Sequence, residues 1–137
     1  MSAVQKVQEA IERGIHLKPK VGGFPYLAKA IAEAGVLYNH WYLPGCSSVY
    51  MLDDGTAVVF QGTPLLNGMQ EISAFNKEAL IVTLRIDQAG NSTFAEFLQS
   101  AWSAGVLSYT VDFTKRTVSY FGSRGESYIE EYPEVML

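Results

Sequence analysis

Two residues that could do chemistry together, His40 and Cys46, lie six positions apart in this chain. A cysteine becomes a strong nucleophile when a neighbouring base or a helix N-terminus lowers the pKa of its thiol. Buried single cysteines are usually inert, and no orienting group or oxyanion site accompanies this pair in the sequence. The sequence therefore favours a protein without enzymatic activity. The alternative is a small hydrolase or transferase that uses Cys46 and His40.

The other ionisable clusters have structural explanations. Asp53 and Asp54 precede Gly55 at a predicted hairpin turn, where aspartate is a common residue. Glu130 and Glu131 alternate on one predicted strand and are typical of a sheet edge. The sequence contains no nucleotide-binding glycine motif, no HExxH, no GxSxG and no cluster of Cys and His. We predict no catalytic residue, no metal site and no cofactor.

A basic, glycine-containing loop, KPKVGGFPYL from Lys18 to Leu27, precedes a predicted helix. The N-terminus of a helix can hold an anion, because its first backbone N–H groups have no partner within the helix. The loop lacks the glycine and lysine spacing of a phosphate-binding Walker motif. It therefore gives only a weak indication of an anion site.

The elements that must position these residues occur twice. The tetrapeptide AGVL appears at 34–37 and again at 104–107, and seven of the 37 residues from 24 to 60 are identical to the residue 70 positions later. Average residue usage would give about two identities by chance. The matches coincide with local structure, since Gly35 and Gly105 each follow a predicted helix and suit its C-terminal position. The repeated AGVL therefore marks a helix end and a strand start.

Apolar spacing predicts two helices in each copy. The second helices present matching apolar faces: Phe24, Leu27, Ala28, Ile31, Ala32, and Phe94, Phe97, Leu98, Ala101, Trp102. We expect the second set to be largely buried, with Leu107, Val111 and Phe113 facing it. The first helices are predicted from the stripe Val4, Val7, Ile11, Ile15 and from Asn76, which can cap a helix running to about Ala89.

Alternating apolar and polar residues predict three strands after each helix pair. They cover 36–43, 47–52 and 56–61 in the first copy, and 107–113, 117–121 and 126–131 in the second. The predicted fold is α+β, with an internally duplicated helix-helix-β-β-β unit and antiparallel meanders that carry helices on one face. Residues 1–137 are predicted to form one domain of two repeats, about 1–70 and 71–137. Whether both meanders join one sheet is open.

The candidate binding site is the segment where the first copy departs from the second, Asn39 to Cys46. Alternation places Asn39, Trp41 and Leu43 on one face of the strand and Tyr38, His40 and Tyr42 on the other. We predict a cleft lined by Trp41 that binds its ligand without transforming it. The predicted ligand-binding residues are Asn39, Trp41, Tyr42, Cys46 and Tyr50. Core packing for Trp41 and a simple turn at Leu43-Pro44-Gly45 are the alternatives.

Composition limits the partners. A net charge of −4 argues against nucleic-acid binding, which needs a basic surface, and no apolar run is long enough to cross a membrane. One cysteine excludes an internal disulfide, and the first residues lack the apolar core of a signal peptide, so we predict a cytoplasmic protein. The aromatic content of 12% and the exposed meander edges favour a homodimer. A small apolar ligand or a protein is the predicted further partner.

One long segment, TFAEFLQSAWSAGVLSYTVDFTKRTVSYFG from Thr93 to Gly122, resembles the YdfO-like bacterial family. The segments GESYIE, NHWYLPGCSSVY and DQAGNSTF extend the similarity over most of the chain. Members of that family are often labelled prophage or phage envelope proteins, and their function is unknown. The resemblance implies a phage-related α+β domain with no established activity, cofactor or catalytic residue.

Overall fold

The chain passes through two helices and three strands and then repeats that order. The structure is a computed structural model that describes residues 1–137. The first half contains α1 (Ala3–Leu17), α2 (Phe24–Glu33), β1 (Val36–Tyr42), β2 (Ser47–Leu52) and β3 (Ala57–Gln61). The second half contains α3 (Lys77–Gln88), α4 (Phe94–Ser103), β4 (Ser108–Asp112), β5 (Thr117–Phe121) and β6 (Ser127–Glu131). The predicted α+β class with its twofold repeated pattern is confirmed.

Local signals in the sequence explain most helix ends. The side chain of Asn76 accepts a hydrogen bond from the backbone at the start of α3, as predicted, and that of Thr93 does the same at the start of α4. Gly35 and Gly105 follow α2 and α4 in the left-handed conformation, with φ of 92° and 86°. The start of α2 at Gly23 differs from these, because no side chain caps it.

The two meanders join in one antiparallel sheet of six strands, in the order β3-β2-β1-β4-β5-β6. At the junction His40 pairs with Thr110, Trp41 with Tyr109, and Asn39 with Val111. Trp41 is equivalent to Val111 and Asn39 to Tyr109, each 70 positions apart, so each of these two pairs is the repeat copy of the other. His40 and Thr110 are themselves 70 positions apart. A local twofold axis, defined by this register, therefore passes through the His40–Thr110 pair.

The helices cover one face of the sheet, and the inward side chains form two rows across all six strands. The first row contains Phe60, Ser48, Trp41, Tyr109, Tyr120 and Tyr128. The second row contains Val58, Tyr50, Asn39, Val111, Val118 and Glu130. The local twofold axis exchanges the two rows. Most of these side chains belong to one buried core cluster, so both halves share a single hydrophobic core.

The apolar stripe predicted for α1 is correct at Val7 and Ile11 and wrong at its two ends. Val7 is buried, but Val4 and Ile15 are exposed, and the buried face continues through Ala10 and Gly14 instead. A Cβ built on Gly14 would lie 2.9 Å from the Cα of Leu27 in α2. Because the helices approach so closely, small residues rather than large apolar ones occupy the contact.

The face predicted for α4 is confirmed in part. Phe97, Leu98 and Ala101 are buried, as are Val111 and Phe113, whereas Trp102 and Leu107 are only partly buried. Phe94 was expected to be buried and is 50% exposed. Phe94 is the first residue of α4, and its ring packs with centroids 5.0 Å apart against Trp41 of the other half. It therefore covers the ring of Trp41 at the boundary of the core instead of entering the core.

Candidate functional site

A cleft of about 640 Å³ opens where the start of α2, from the first half, meets the second half. The first half contributes the turn before α2 and its first residues, 22–25. The second half contributes the end of α3 and the strand β6 with the two residues that follow it. Its lining residues are Gly22, Gly23, Phe24, Pro25, Arg85, Asp87, Gln88, Tyr128, Ile129, Glu130, Glu131, Tyr132 and Pro133.

Direct contacts hold the start of α2 against the second half. The backbone N–H of Gly22 donates a 2.8 Å hydrogen bond to the carbonyl oxygen of Gln88, at the end of α3. The ring of Phe24 meets the ring of Tyr132 edge-on, with centroids 5.2 Å apart. Lys29 of α2 forms a 3.5 Å ion pair with Glu134. Both walls of the cleft are thus fixed by contacts within the chain.

A hydrogen-bonded network on Glu130 forms one wall. The carboxylate accepts bonds from Arg85 Nη1 at 3.1 Å, from Gln88 Nε2 at 3.1 Å and from the hydroxyl of Tyr128 at 2.6 Å, and Arg85 Nη2 lies 2.8 Å from it. Partial burial acts to raise the pKa of Glu130, but these donors outweigh it and lower the pKa below its usual value. The hydrogen bond between Tyr128 and Glu130 also raises the pKa of the Tyr128 hydroxyl. The network therefore holds Glu130 in its charged form.

The lining of the cleft carries an excess of negative charge. Arg85 is balanced by Glu130, whereas Asp87 and Glu131 have no ion-pair partner. Asp87 is partly buried and accepts a 3.0 Å hydrogen bond from the hydroxyl of Ser92. Burial raises the pKa of Asp87, and the bond from Ser92 and the positive charge of Lys18 act against that rise. The aromatic rings of Phe24, Tyr128 and Tyr132 also line the cleft.

The sequence reasoning did not select this cleft. The sequence pattern predicts Glu130 and Glu131 to be sheet-edge residues and gives no role to Arg85. A signal was present in the duplication, because the residues 70 positions before Arg85 and Glu130 are Ile15 and Phe60. Both apolar residues are thus replaced by charges of opposite sign at equivalent positions. The contact between α2 and β6 that completes the cleft is a tertiary feature with no local sequence pattern.

The predicted binding segment contains a buried hydrogen-bonded cluster. Trp41 Nε1 donates to Asn39 Oδ1 at 2.8 Å, and Asn39 Nδ2 donates to Ser48 Oγ at 2.5 Å and to the carbonyl oxygen of Val49 at 3.2 Å. Trp41 is 8% exposed and packs beneath Phe94. The cluster satisfies the side-chain hydrogen-bonding groups of Asn39 and fixes the orientation of the indole.

The structure separates the remaining predicted residues. Tyr50 pairs with Asn39 across β1 and β2 on the helix-covered face, where burial raises the pKa of its hydroxyl. Tyr42 lies on the opposite face and is 50% exposed. Cys46 occupies the turn after β1 with a φ of 48° and packs against the core cluster. The predicted set therefore divides between two faces of the sheet and the turn at its end.

His40 and Cys46 have different surroundings. His40 lies on the face of the sheet opposite the helices, and its Nδ1 lies 2.9 Å from the hydroxyl oxygen of Thr110. The Sγ of Cys46 lies 2.9 Å from the position that a Cβ on Gly62 would occupy, close to the ring of Phe60. No hydrogen bond joins the two side chains. No group of three or more His, Cys, Asp or Glu residues is arranged to hold a metal ion.

The fold and the cleft define a duplicated α+β protein with one six-stranded sheet. Residues 15–131 match the sequence profile of a family described as "Protein of unknown function (DUF1398)", and the chain belongs to that family. It is similar to the uncharacterized protein Rv2012 of Mycobacterium tuberculosis and to the uncharacterized protein Mb2035 of Mycobacterium bovis. Each is 46% identical over 136 residues, which cover 98% of this chain and 82% of the relative.

None of the four helices combines the length and the apolar content that crossing a membrane requires.

Proposed function

We propose that this protein is a non-enzymatic binding domain whose ligand occupies the cleft between α2, α3 and β6. The observation that carries the proposal is the cleft itself, about 640 Å³ in volume and lined by both halves. Its volume is within the range of small-molecule sites, which are about 300–1,000 Å³. Its walls combine three aromatic rings with a few fixed polar groups, as such sites commonly do.

The lining favours a small organic cation with a flat ring. Asp87 lacks an ion-pair partner, and Glu131 adds a second unpaired carboxylate on the opposite face of β6 at the rim, so a positive charge on the ligand would be attracted. The rings of Phe24, Tyr128 and Tyr132 offer faces or edges for stacking, and a cation over an aromatic ring gains further attraction. One such contact exists already, with Lys77 Nζ 5.5 Å from the ring centre of Tyr128. The small apolar ligand or protein partner expected from composition stays a separate proposal.

Other sequence-based expectations stay proposals. A ligand at Asn39, Trp41, Tyr42, Cys46 and Tyr50 would need the indole of Trp41 to become accessible. We also propose one domain over 1–137, a homodimer, a cytoplasmic location and no nucleic-acid partner, the last supported by the net charge of −4. The YdfO-like resemblance and a prophage origin stay predictions. No observation favours the alternative Cys46 and His40 enzyme, because His40 contacts Thr110.

Two probes with the same ring and opposite charge test the proposal. Benzamidine is a flat cation and benzoate a flat anion, and each is added to the full chain while the melting temperature Tm is recorded. We expect benzamidine to raise Tm, by about 3–5 °C at ten times its Kd, because a ligand that binds only the folded state stabilises it. Benzoate is expected to leave Tm unchanged.

Variants locate the binding. Asp87→Asn and Glu131→Gln each remove one unpaired charge from the cleft and should weaken benzamidine binding in calorimetric titrations. The matched control is Glu33→Gln, which removes a carboxylate paired with Arg13 on the exposed surface. Equal binding of benzoate, no response to either probe, or an equal effect of Glu33→Gln would contradict the proposal.

A further inference from the structure

The face of the sheet opposite the helices is not covered by any part of the chain. Its outward side chains form three rows across the six strands, and we call these positions the open face. The central row contains Val59, Val49, His40, Thr110, Ser119 and Ile129. The flanking rows contain Gln61, Ser47, Tyr42, Ser108, Phe121, Ser127, and Ala57, Met51, Tyr38, Asp112, Thr117, Glu131.

The open face is unusual for a surface in water because it is almost uncharged. A solvated face of an antiparallel sheet normally carries polar and charged residues. Here only Asp112 and Glu131 are acidic, and both lie in the same flanking row. Val59 is 70% exposed and Ile129 59% exposed, and Tyr38, Tyr42 and Met51 are also exposed. Depletion of charge together with exposed Tyr and Met is typical of the centre of a protein interface.

The size of the open face fits a specific interface. Six strands spaced about 4.8 Å apart, each contributing about five residues, give a surface of about 29 by 17 Å. That is about 500 Å² of flat area, so two such faces in contact bury at least about 1,000 Å², the lower bound for a biological interface. Sheets stacked face to face pack about 10 Å apart, with their side chains interdigitated.

The arrangement of the open face favours a second copy of this chain as the occupant. The local twofold axis maps the central row onto itself and exchanges the flanking rows, so the face has the same outline from either end. Only two side chains of the open face, Asp112 and Glu131, are charged, so two such faces meet with few like charges in contact. A recess of about 240 Å³ beside His40 and Tyr42 adds relief into which a side chain can fit.

We propose that two copies of this protein pack their open faces against each other to form a homodimer, an inference that rests on the homodimer proposed above and identifies its surface. Tyr42, on central strand β1, then lies within the contact. Val59 and Ile129 lie near its two ends, on the edge strands.

Sedimentation equilibrium of the full chain at 1–200 µM tests the inference. We expect a species of about 30 kDa, twice the mass of 15.1 kDa. Tyr42→Lys places a charge in the contact and is expected to weaken self-association by about 30-fold or more. The matched control, Val82→Lys, changes an equally exposed apolar residue on α3 (58% exposed) and should leave the dimer unchanged.

The possible outcomes test the homodimer and its contact surface separately. A 15 kDa species at every concentration overturns both the homodimer and its surface. A dimer that persists unchanged in Tyr42→Lys overturns the surface and leaves the homodimer standing. If Tyr42→Lys fails to fold by circular dichroism, Ile129→Lys on the edge strand β6 gives the same decision. A different protein retained stoichiometrically on the wild-type chain, and lost in Tyr42→Lys, would overturn the second copy as occupant.

Discussion

The surroundings of α2 and α4 differ at their first residues, although the two helices occupy equivalent places. At the start of α2, the other half presents Arg85, Tyr128 and Glu130, and a cleft remains open. At the start of α4, the equivalent residues of the other half are Ile15, Val58 and Phe60. There, Phe94 and Phe60 both pack on the ring of Trp41, with centroids 5.0 and 5.9 Å away. Aromatic rings fill the space at the start of α4, whereas the space at the start of α2 stays open and has charged side chains in its lining.

The difference extends to the helix starts and to the core below. Thr93 and Glu96 close the start of α4 by reciprocal hydrogen bonds, whereas Gly23 leaves the start of α2 without a side-chain cap. In the core the contrast is reversed, since the first half buries the polar cluster of Asn39 and Ser48 where the second half has Tyr109 and Val118. A duplicated fold thus tolerates exchanges of polar and apolar groups, provided that every buried polar group finds a partner.

The largest expected effect concerns Trp41, which packs beneath Phe94 at the start of α4. Trp41→Ala should lower the free energy of unfolding by about 3–5 kcal/mol, because it leaves a cavity under Phe94 and removes the donor to Asn39. Val111→Ala at the equivalent second-half position should cost less, since it removes two methyl groups rather than a double ring. Urea denaturation of both variants measures the difference. Equal losses of unfolding free energy in Trp41→Ala and Val111→Ala would contradict the expected difference between the two halves.

A second test compares equivalent tyrosines, Tyr50 and Tyr120, at alkaline pH. Burial raises the pKa of both hydroxyls, and nearby Glu130 and Asp87 raise that of Tyr120 further. Stability is therefore complete below the unfolded pKa of about 10 and is lost as the pH rises above it, by about 1.4 kcal/mol per unit for one group. We expect Tyr120→Phe to remove more of this loss than Tyr50→Phe. Urea midpoints at pH 8, 9.5 and 11 provide the measurement, and the reverse order would contradict the assignment.

The smallest expected effect concerns the network in the cleft. The lowered pKa of Glu130 contributes stability above the unfolded value of about 4.3, and that contribution is lost as the pH falls through the folded pKa. Glu130→Gln should therefore flatten the dependence of stability on pH between about 5 and 3. Glu33→Gln removes an exposed ion pair with Arg13 and should have little effect. Thermal denaturation across that pH range compares them, and parallel curves for Glu130→Gln and wild type would show that the network contributes nothing.

Most of the fold could be predicted because its signals are local. Capping residues such as Asn76 and Thr93 fix helix starts, and alternation around Trp41 assigns the faces of β1 correctly. The full buried face of α1 could not be predicted from apolar residues, because close packing on α2 selects Ala10 and Gly14 instead. Small residues at a tight helix contact carry little hydrophobic signal.

The cleft could be predicted least. It depends on the start of α2 meeting β6, about a hundred residues later in the chain, through Phe24 and Tyr132. The sequence divergence at Asn39 to Cys46 predicts a site in the first half, where the structure places a buried hydrogen-bonded cluster around Trp41. Divergence between repeats identifies where the two copies differ, but only tertiary packing distinguishes a changed core from an open space.

The register between β1 and β4 relates the two halves as two copies of one short unit. A strand that pairs antiparallel with its own equivalent, His40 opposite Thr110, is the arrangement that two separate copies of one short unit would adopt. Gene duplication followed by fusion would then have joined two identical partners covalently, through residues 62–76. Once joined, the copies were free to mutate independently, and one helix start could close while the other remained open. A symmetric pair of identical units would have had this cleft twice or not at all. A single cleft therefore requires that the two copies differ.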